Sequence, residues 1–453
     1  MRHNNRASNA LHTLGLLLAI TAVGCADDDA DTPAIEDDAT TGDIASTGDV
    51  SDDPSDTDAE EATSGGDESS TGEPGTEPDF DTLAADLEAL RTSNDIPGAA
   101  IGIIQGDTVL WTQGFGVREE GTDTPIHADT PFRLASVSKT VVGAALMRAE
   151  AMDILSLDDT VEMDFAVDNP HVDGEAITYR SLANHQSGIV DSLWYECAYT
   201  TESGDAYMSP EEQGFCPEGP TSDLEGFLAA YLEPEGALYT GDNFAEGDDG
   251  QPGTTYDYSN VGAALAGASL GRATQAAVGM DFPSFCDAEI FAPLGMTNTA
   301  WRRTDLPAPD EAAVPHMTFG GTRTALDPYH LATFPDGGLY SSVNDLSRFL
   351  AAMVPGAGSI DGTEVLPSEQ AAALTDFIDV SDGDIVDGQG IFWERYLGLY
   401  GHTGGDPGVS TAMGYDPEAG VGYILLINET GPTTELFLLQ ALSRMQEFAA
   451  EEL

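Results

Sequence analysis

Residues 133–143, Arg-Leu-Ala-Ser-Val-Ser-Lys-Thr-Val-Val-Gly, place Ser136 and Lys139 three positions apart where a helix is predicted to begin. That spacing is about one helical turn, so hydroxyl and amine share a face. A serine hydroxyl is a poor nucleophile at neutral pH, and an amine one turn along is placed to take its proton. The pattern is short, and a helix-capping serine ahead of a surface lysine fits it too. The chain's inventory of cations weighs between the two readings. Of 15 basic residues, Lys139 is the only lysine. Arginine serves everywhere else, and arginine in effect cannot lose its proton. The single retained lysine therefore points to an amine used as a base.

Outward from this stretch, the 453 residues leave room for one large or two medium domains. Arg2 and Arg6 precede an apolar run from Leu11 to Val23, a secretory signal pattern too short to remain across a bilayer. Ala22-Val23-Gly24-Cys25 resembles a bacterial lipobox, so residues 1–24 are expected to be a lipoprotein signal peptide and Cys25 the lipidated residue. Residues 25–79 contain no Lys or Arg and are rich in Asp, Glu, Thr, Ser and Gly. Such a stretch buries too little apolar area to offset its ordering entropy and reads as an acidic, low-complexity tether. The expected location is the bacterial cell envelope, lipid-anchored on the periplasmic or outer surface.

The formal net charge of -65 is not confined to that tether, which holds 20 of the 80 acidic residues. An acidic folded part excludes nucleic acid as a partner. Cys197 and Cys216 share one acidic loop and are expected to pair outside the cytoplasm, whereas Cys286, among apolar residues, reads as a buried thiol. The histidines show no ligand spacing, so neither metal nor cofactor is expected.

Taken in order, Asp81 to Ser93 has helical periodicity, and the runs from Ala99 to Gln105 and from Thr108 to Gly116 form a hairpin around Gly106-Asp107. Helices and loops dominate from 152 to 330. Ser192 to Thr255 is too long for an ordinary connection, leaving an active-site wall or a disordered insertion. Strands return from Tyr400 to Gly404, Val409 to Tyr415 and Val421 to Ile427. A last helix from about Thr433 to Glu451 repeats Leu436, Leu439 and Leu442. Strands at both ends with helices between suggest one sheet built from both termini beside a helical lobe.

Ser136-Val137-Ser138-Lys139, Tyr258-Ser259-Asn260 and His402-Thr403-Gly404-Gly405, in this order, resemble the motifs of the serine β-lactamase and penicillin-binding-protein superfamily. The similar branch is that of class C β-lactamases, D-alanyl-D-alanine carboxypeptidases and related esterases, and the likeness spans roughly Phe80 to Glu447. It implies an α+β fold, an antiparallel sheet flanked by helices plus an all-helical lobe, over residues 80–453. It also implies roles: Ser136 as nucleophile, Lys139 and Tyr258 sharing the work of general base, Asn260 orienting the substrate amide and holding Lys139. Thr403 and Gly404 complete the third motif, and the backbone N–H groups of Ser136 and Gly405 form the oxyanion hole, the latter on an edge strand. His185 reads as structural.

The third motif departs from the family's usual Lys-Thr-Gly by opening with His402. A lysine there holds a fixed charge against a substrate carboxylate, whereas a histidine near its ordinary pKa of about 6.5 holds one only partly. The expected activity is accordingly that of an esterase or peptidase/amidase on a small-molecule acyl substrate or peptidoglycan-derived peptide. A β-lactamase, a D-alanyl-D-alanine carboxypeptidase and a catalytically silent binding module on the same fold are the alternatives.

Overall fold

The computed structural model describes residues 77–172, 176–202, 207, 216, 223–353, 358–380 and 385–453. The signal peptide, Cys25 and the tether up to residue 76 lie outside the described residues. The sheet begins with β1 (Gly98–Gln105) and β2 (Thr108–Gly116), turning through Gly106. It is completed by β3 (Ile378–Asp379), β4 (Val386–Gln389), β5 (Glu394–Tyr396), β6 (Leu399–Asp406), β7 (Val409–Asp416) and β8 (Val421–Ile427). The strand order is β3-β4-β5-β6-β7-β8-β1-β2, every pairing antiparallel. The first and last long strands of the described residues meet where β1 pairs with β8, Ala99 opposite Ile427.

Both faces of this sheet are covered, which is why β1 and β8 read as unbroken apolar runs rather than alternating ones. On one face Ile101, Ile103 and Leu425 pack with Leu83 and Leu87 of helix α1 (Phe80–Ser93) and with the C-terminal helix. On the other, Ala100, Ile104, Ile424 and Leu426 join the larger core of the helical lobe. That lobe contains α2 (Ser138–Ala151), α3 (Tyr179–Ala183), α4 (Leu224–Leu232) and α5 (Asn260–Val278), with α6 (Val343–Met353) lying against β1 and β8. The fold is the α+β arrangement implied by the family resemblance.

Three details differ from the sequence reading, and one alternative it left open is narrowed. The last helix, α7 (Thr434–Glu452), buries Phe437, Leu438, Ala441, Leu442, Met445 and Phe448, while Leu436 and Leu439 are about half exposed. Two of the three leucines in the expected stripe therefore lie off the buried face, and only Leu442 is on it. The sheet also gains β3, β4 and β5, of two to four residues each and too short for periodicity to show. β6 is not an edge strand along its whole length: Leu399 to Gly401 pair with β5 on one side, and only His402 onward has β7 as its sole partner. Finally, the segment after Ser192 forms a wall where it is described, with a short 3-10 helix Leu193–Ala198 and a strand Tyr199–Thr201 paired with Tyr329–Leu331. Cys197 and Cys216 are disulfide-bonded and Cys286 is a buried free thiol.

Candidate active site

The turn bearing Ser136 is strung between two anchors. Phe132–Arg133 pairs with Tyr340–Ser341, and the Leu134 amide donates to the Leu339 carbonyl at 2.8 Å. Ala135 then takes φ +48, an uncommon backbone state for a residue with a Cβ. Ser136 sits in a 3-10 turn, Ala135–Val137, just ahead of α2 rather than inside it, and its side chain caps nothing. Its hydroxyl instead accepts from Lys139 Nζ at 3.0 Å and from Tyr258 Oη at 2.8 Å.

Lys139 is fully buried. Its amine also donates to Asn260 Oδ1 at 2.6 Å and to the Asp336 carbonyl at 2.7 Å, so all three N–H groups of an ammonium are used. Burial lowers its pKa from 10.5 to about 8, against the opposing pull of Asp336, Asp191, Glu394 and Asp406. The same burial, with Glu394 next, raises the Tyr258 phenol well above its ordinary value. The two groups on Ser136 are thereby separated in acidity. Near neutrality the amine is the one able to accept a proton, and the phenol remains an O–H.

Tyr258 is fixed from behind. The His185 ring lies 4.4 Å from its ring, and His185 Nδ1 accepts from the Ser259 amide at 3.1 Å. His185 is buried, at φ +54, and held well below its ordinary pKa, first by burial and then by Lys139. It acts as a neutral strut. Ser259, not Asn260, caps α5, and Asp191 accepts from the Asn260 and Val261 amides at 2.7 and 3.0 Å. A carboxylate at a helix N-terminus satisfies amides that lack intrahelical partners. This leaves the Asn260 side chain free to turn toward Lys139.

The third motif closes the site from the sheet. A Cβ on Gly404 would come within 2.5 Å of the Leu134 carbonyl oxygen, so only glycine lets β6 run this close to the Ser136 turn. Gly405 has open space around it. Ser136, Tyr258, Asn260, His402, Thr403, Gly404 and Gly405 line one pocket of about 280 Å³, with Lys139 beneath its floor. Tyr195, Glu196 and Tyr199 form the wall contributed by the long connection.

His402 is neutral rather than partly charged as its ordinary pKa suggests: burial, then Lys139, lower its pKa from 6.5 to about 3. Its contact with Glu394, 3.5 Å from Nε2, is consequently not an ion pair. Several groups escaped the sequence reading. Arg133 stacks on Tyr329 with its guanidinium carbon 4.1 Å from the ring centroid and pairs with Asp406 at 3.6 Å, while Tyr199 donates to Asp406 at 2.7 Å. Asp336 accepts from Tyr195 at 3.0 Å, and burial raises its pKa to about 7. Glu394 left one sequence signal, an acid directly after the apolar run Ile391-Phe392-Trp393.

Comparison with known proteins agrees with this geometry. A penicillin-binding protein of Bacillus subtilis is 25% identical over 344 residues, covering 72% of this chain and 67% of that one. A putative β-lactamase-like protein of Homo sapiens is 27% identical over 284 residues, or 59% of this chain, which spans about half (49%) of that relative's length. Among solved structures, a penicillin-binding protein homologue from Pyrococcus abyssi superposes with a TM-score of 0.64 at 24% identity, covering 83% of this chain and 79% of that one. D-amino acid amidase from Ochrobactrum anthropi gives 0.59 at 19% identity, covering 81% and 99%. Residues 83–442 match the Beta-lactamase family model, and the chain belongs to that family.

Proposed function

We propose that this chain hydrolyses small acyl esters or amides through an acyl-enzyme on Ser136. The observation that carries the reading is the Ser136 hydroxyl held by both Lys139 Nζ and Tyr258 Oη. In the neutral amine state Lys139 takes the hydroxyl proton as Ser136 Oγ bonds to the substrate carbonyl carbon. The Ser136 and Gly405 amides receive the developing oxyanion. The proton passes through Lys139 and Tyr258 to the leaving alcohol or amine as its bond to carbon breaks. Water, deprotonated by the same amine, then releases the acid and restores Ser136. Treatment with a fluorophosphonate followed by peptide mass spectrometry should place the adduct on Ser136.

Esters and amides are favoured over β-lactams because the group facing the usual place of a substrate carboxylate is a neutral histidine, and among the described residues no lysine or arginine lines the pocket. Losing a charge-assisted hydrogen bond lowers transition-state binding roughly 10- to 150-fold. The unmodified protein should therefore turn over p-nitrophenyl butyrate far better than a chromogenic cephalosporin. His402→Lys, with Glu394 beside the new ammonium, should shift the ratio of kcat/KM toward the cephalosporin by about tenfold or more. An unchanged ratio would remove residue 402 as the determinant.

We also propose that Cys25 carries lipid and that the acidic stretch after it holds the enzyme off a bacterial membrane, on the strength of the lipobox-like tetrad. Among the described residues no helix is long and apolar enough to cross a membrane. Cys25→Ser should move the protein from the membrane to the soluble fraction in a cell expressing the full chain. Unchanged fractionation would count against the anchor.

A further inference from the structure

Asp336 meets the amine of Lys139 through its backbone, the carbonyl accepting from Nζ at 2.7 Å. The turn that presents it is closed on both sides: the Asp336 amide donates to the Thr333 carbonyl at 3.0 Å, and the Gly338 amide to the Phe334 carbonyl at 2.8 Å. The Asp336 side chain is buried, lines the pocket, and accepts from Tyr195 Oη at 3.0 Å. Tyr195 belongs to the 3-10 helix Leu193–Ala198, so the wall grips the residue that holds Lys139. A backbone carbonyl would hold the amine whatever the side chain of residue 336. A buried carboxylate is unfavourable to keep, and burial pushes this one up to about 7. Alanine would make the same carbonyl contact without that penalty, so the charge itself calls for a use.

Four carboxylates face the amine: Asp336, Asp191 at the start of α5, Glu394 on β5 and Asp406 at the end of β6. Three uncharged titratable groups stand around it as well, His185, His402 and Tyr258, whose ring centroid lies 5.0 Å from Nζ. Asp191 is engaged by the amides that open α5, and Asp406 by Arg133 and Tyr199. Of the four acids, Asp336 alone also bonds the amine through its own backbone. Burial is the largest influence on Lys139, and Asp336 is the strongest of the carboxylates opposing it. Asp336 is itself faced by Lys139, Tyr195 and Asp191.

We propose that the Asp336 carboxylate, fixed by Tyr195 of the pocket wall, is a positioning residue for the general base: it holds the Lys139 ammonium between turnovers and places the acidic limb of the pH profile. The inference rests on the acyl-enzyme reading above and adds a residue to it. The sign is fixed by charge. An anion beside an ammonium stabilises the charged form, so removing the anion frees the amine at lower pH. Asp336 is ionised above about pH 7, the range in which Lys139 loses its proton.

Lys139 is the only lysine in the chain, so lysine labelled with carbon-13 at Cε gives one side-chain resonance whose titration reads this amine directly. Its midpoint is expected near 8 in the unmodified full chain. Asp336→Asn, which keeps the size and an acceptor for Tyr195, should lower that midpoint by about one pH unit or more. Tyr195→Phe, which loosens the carboxylate without removing it, should lower it less. The acidic limb of kcat/KM for p-nitrophenyl butyrate should move with the resonance. At about pH 6 Asp336→Asn should then turn over at least as fast as the parent, while its alkaline plateau falls severalfold because a weaker base is a slower one. A merely structural role would lower kcat/KM at every pH and leave the midpoint in place. A Lys139 midpoint unmoved by Asp336→Asn, or a kinetic limb that stays put while the resonance shifts, would overturn the assignment. Should Asp336→Asn not fold, an unmoved midpoint in Tyr195→Phe would overturn it equally. Absence of any fluorophosphonate adduct on Ser136 would instead overturn the proposed reaction, and the resonance would still report whether Asp336 governs the amine.

Discussion

Ser136→Ala is expected to abolish covalent labelling and to lower turnover by on the order of 10⁴-fold or more, while the fold is kept. The large loss follows from chemistry, because without the hydroxyl no acyl-enzyme forms and only direct attack by water remains. The small structural effect follows from the geometry around the oxygen. Ser136 lines the pocket and caps no helix, so water can replace its oxygen as acceptor for Tyr258. Lys139 keeps two of its three acceptors, Asn260 and the Asp336 carbonyl. A melting temperature within a few degrees of the parent, together with absent adduct, is the expected pair of results. An adduct found on another residue in the unmodified protein would sink the assignment, and no adduct at all would favour a silent binding module on the same fold.

The parts of this site that were legible in the sequence are those where chemistry restricts the residue type. One lysine in 453 residues, three positions after a serine, stands out without any structure. Tyr258, Asn260 and the His402 motif were legible through family resemblance, and the ends of the sheet through long apolar runs. Glu394, Asp336 and Asp191 were not, because what sets them apart is burial among distant elements, in a chain where 80 residues are acidic. The C-terminal helix shows a subtler failure. Leu436, Leu439 and Leu442 form a short stripe, but continued along the helix it runs into Ser443 and Glu447. The face through Leu438, Ala441, Met445 and Phe448 stays apolar for about three turns, and that is the face the sheet buries. Period must be read over the whole element when apolar residues are dense.

His402 shows how far local context can carry a residue from its ordinary value. Its motif position suggested partial charge, yet burial beside Lys139 removes the charge altogether. The one cation at the centre of the site then belongs to Lys139, and four carboxylates pull its pKa up while burial pulls it down. The balance leaves it close to where a general base at mild alkaline pH works best.

Lys139→Met therefore separates catalysis from stability. Activity should fall by about 10² to 10⁴-fold, the usual contribution of a general base. Stability should change little, since two opposing effects nearly cancel. The native pKa of about 8 against 10.5 corresponds to a penalty of about 3 kcal/mol for holding the ammonium buried at neutral pH. Methionine removes that penalty but leaves Asn260 Oδ1 and the Asp336 carbonyl without their donor, at about 1 to 3 kcal/mol each. The sign in pH follows from the depressed value. Between about pH 8 and 10.5 the unfolded chain binds more protons at this lysine than the native one, so its contribution makes the parent more stable as pH rises through that window. In Lys139→Met that increment should vanish. On the kinetic side, kcat/KM of the parent should rise about tenfold per pH unit below 8 and level off above it, because only the neutral amine accepts the proton. Denaturant melts at several pH values together with a pH–rate profile decide the matter. A flat profile from pH 6 to 9 would show that Lys139 is not the base, and an unchanged pH slope of stability in the methionine variant would show that its amine is not charged at a cost in the native fold.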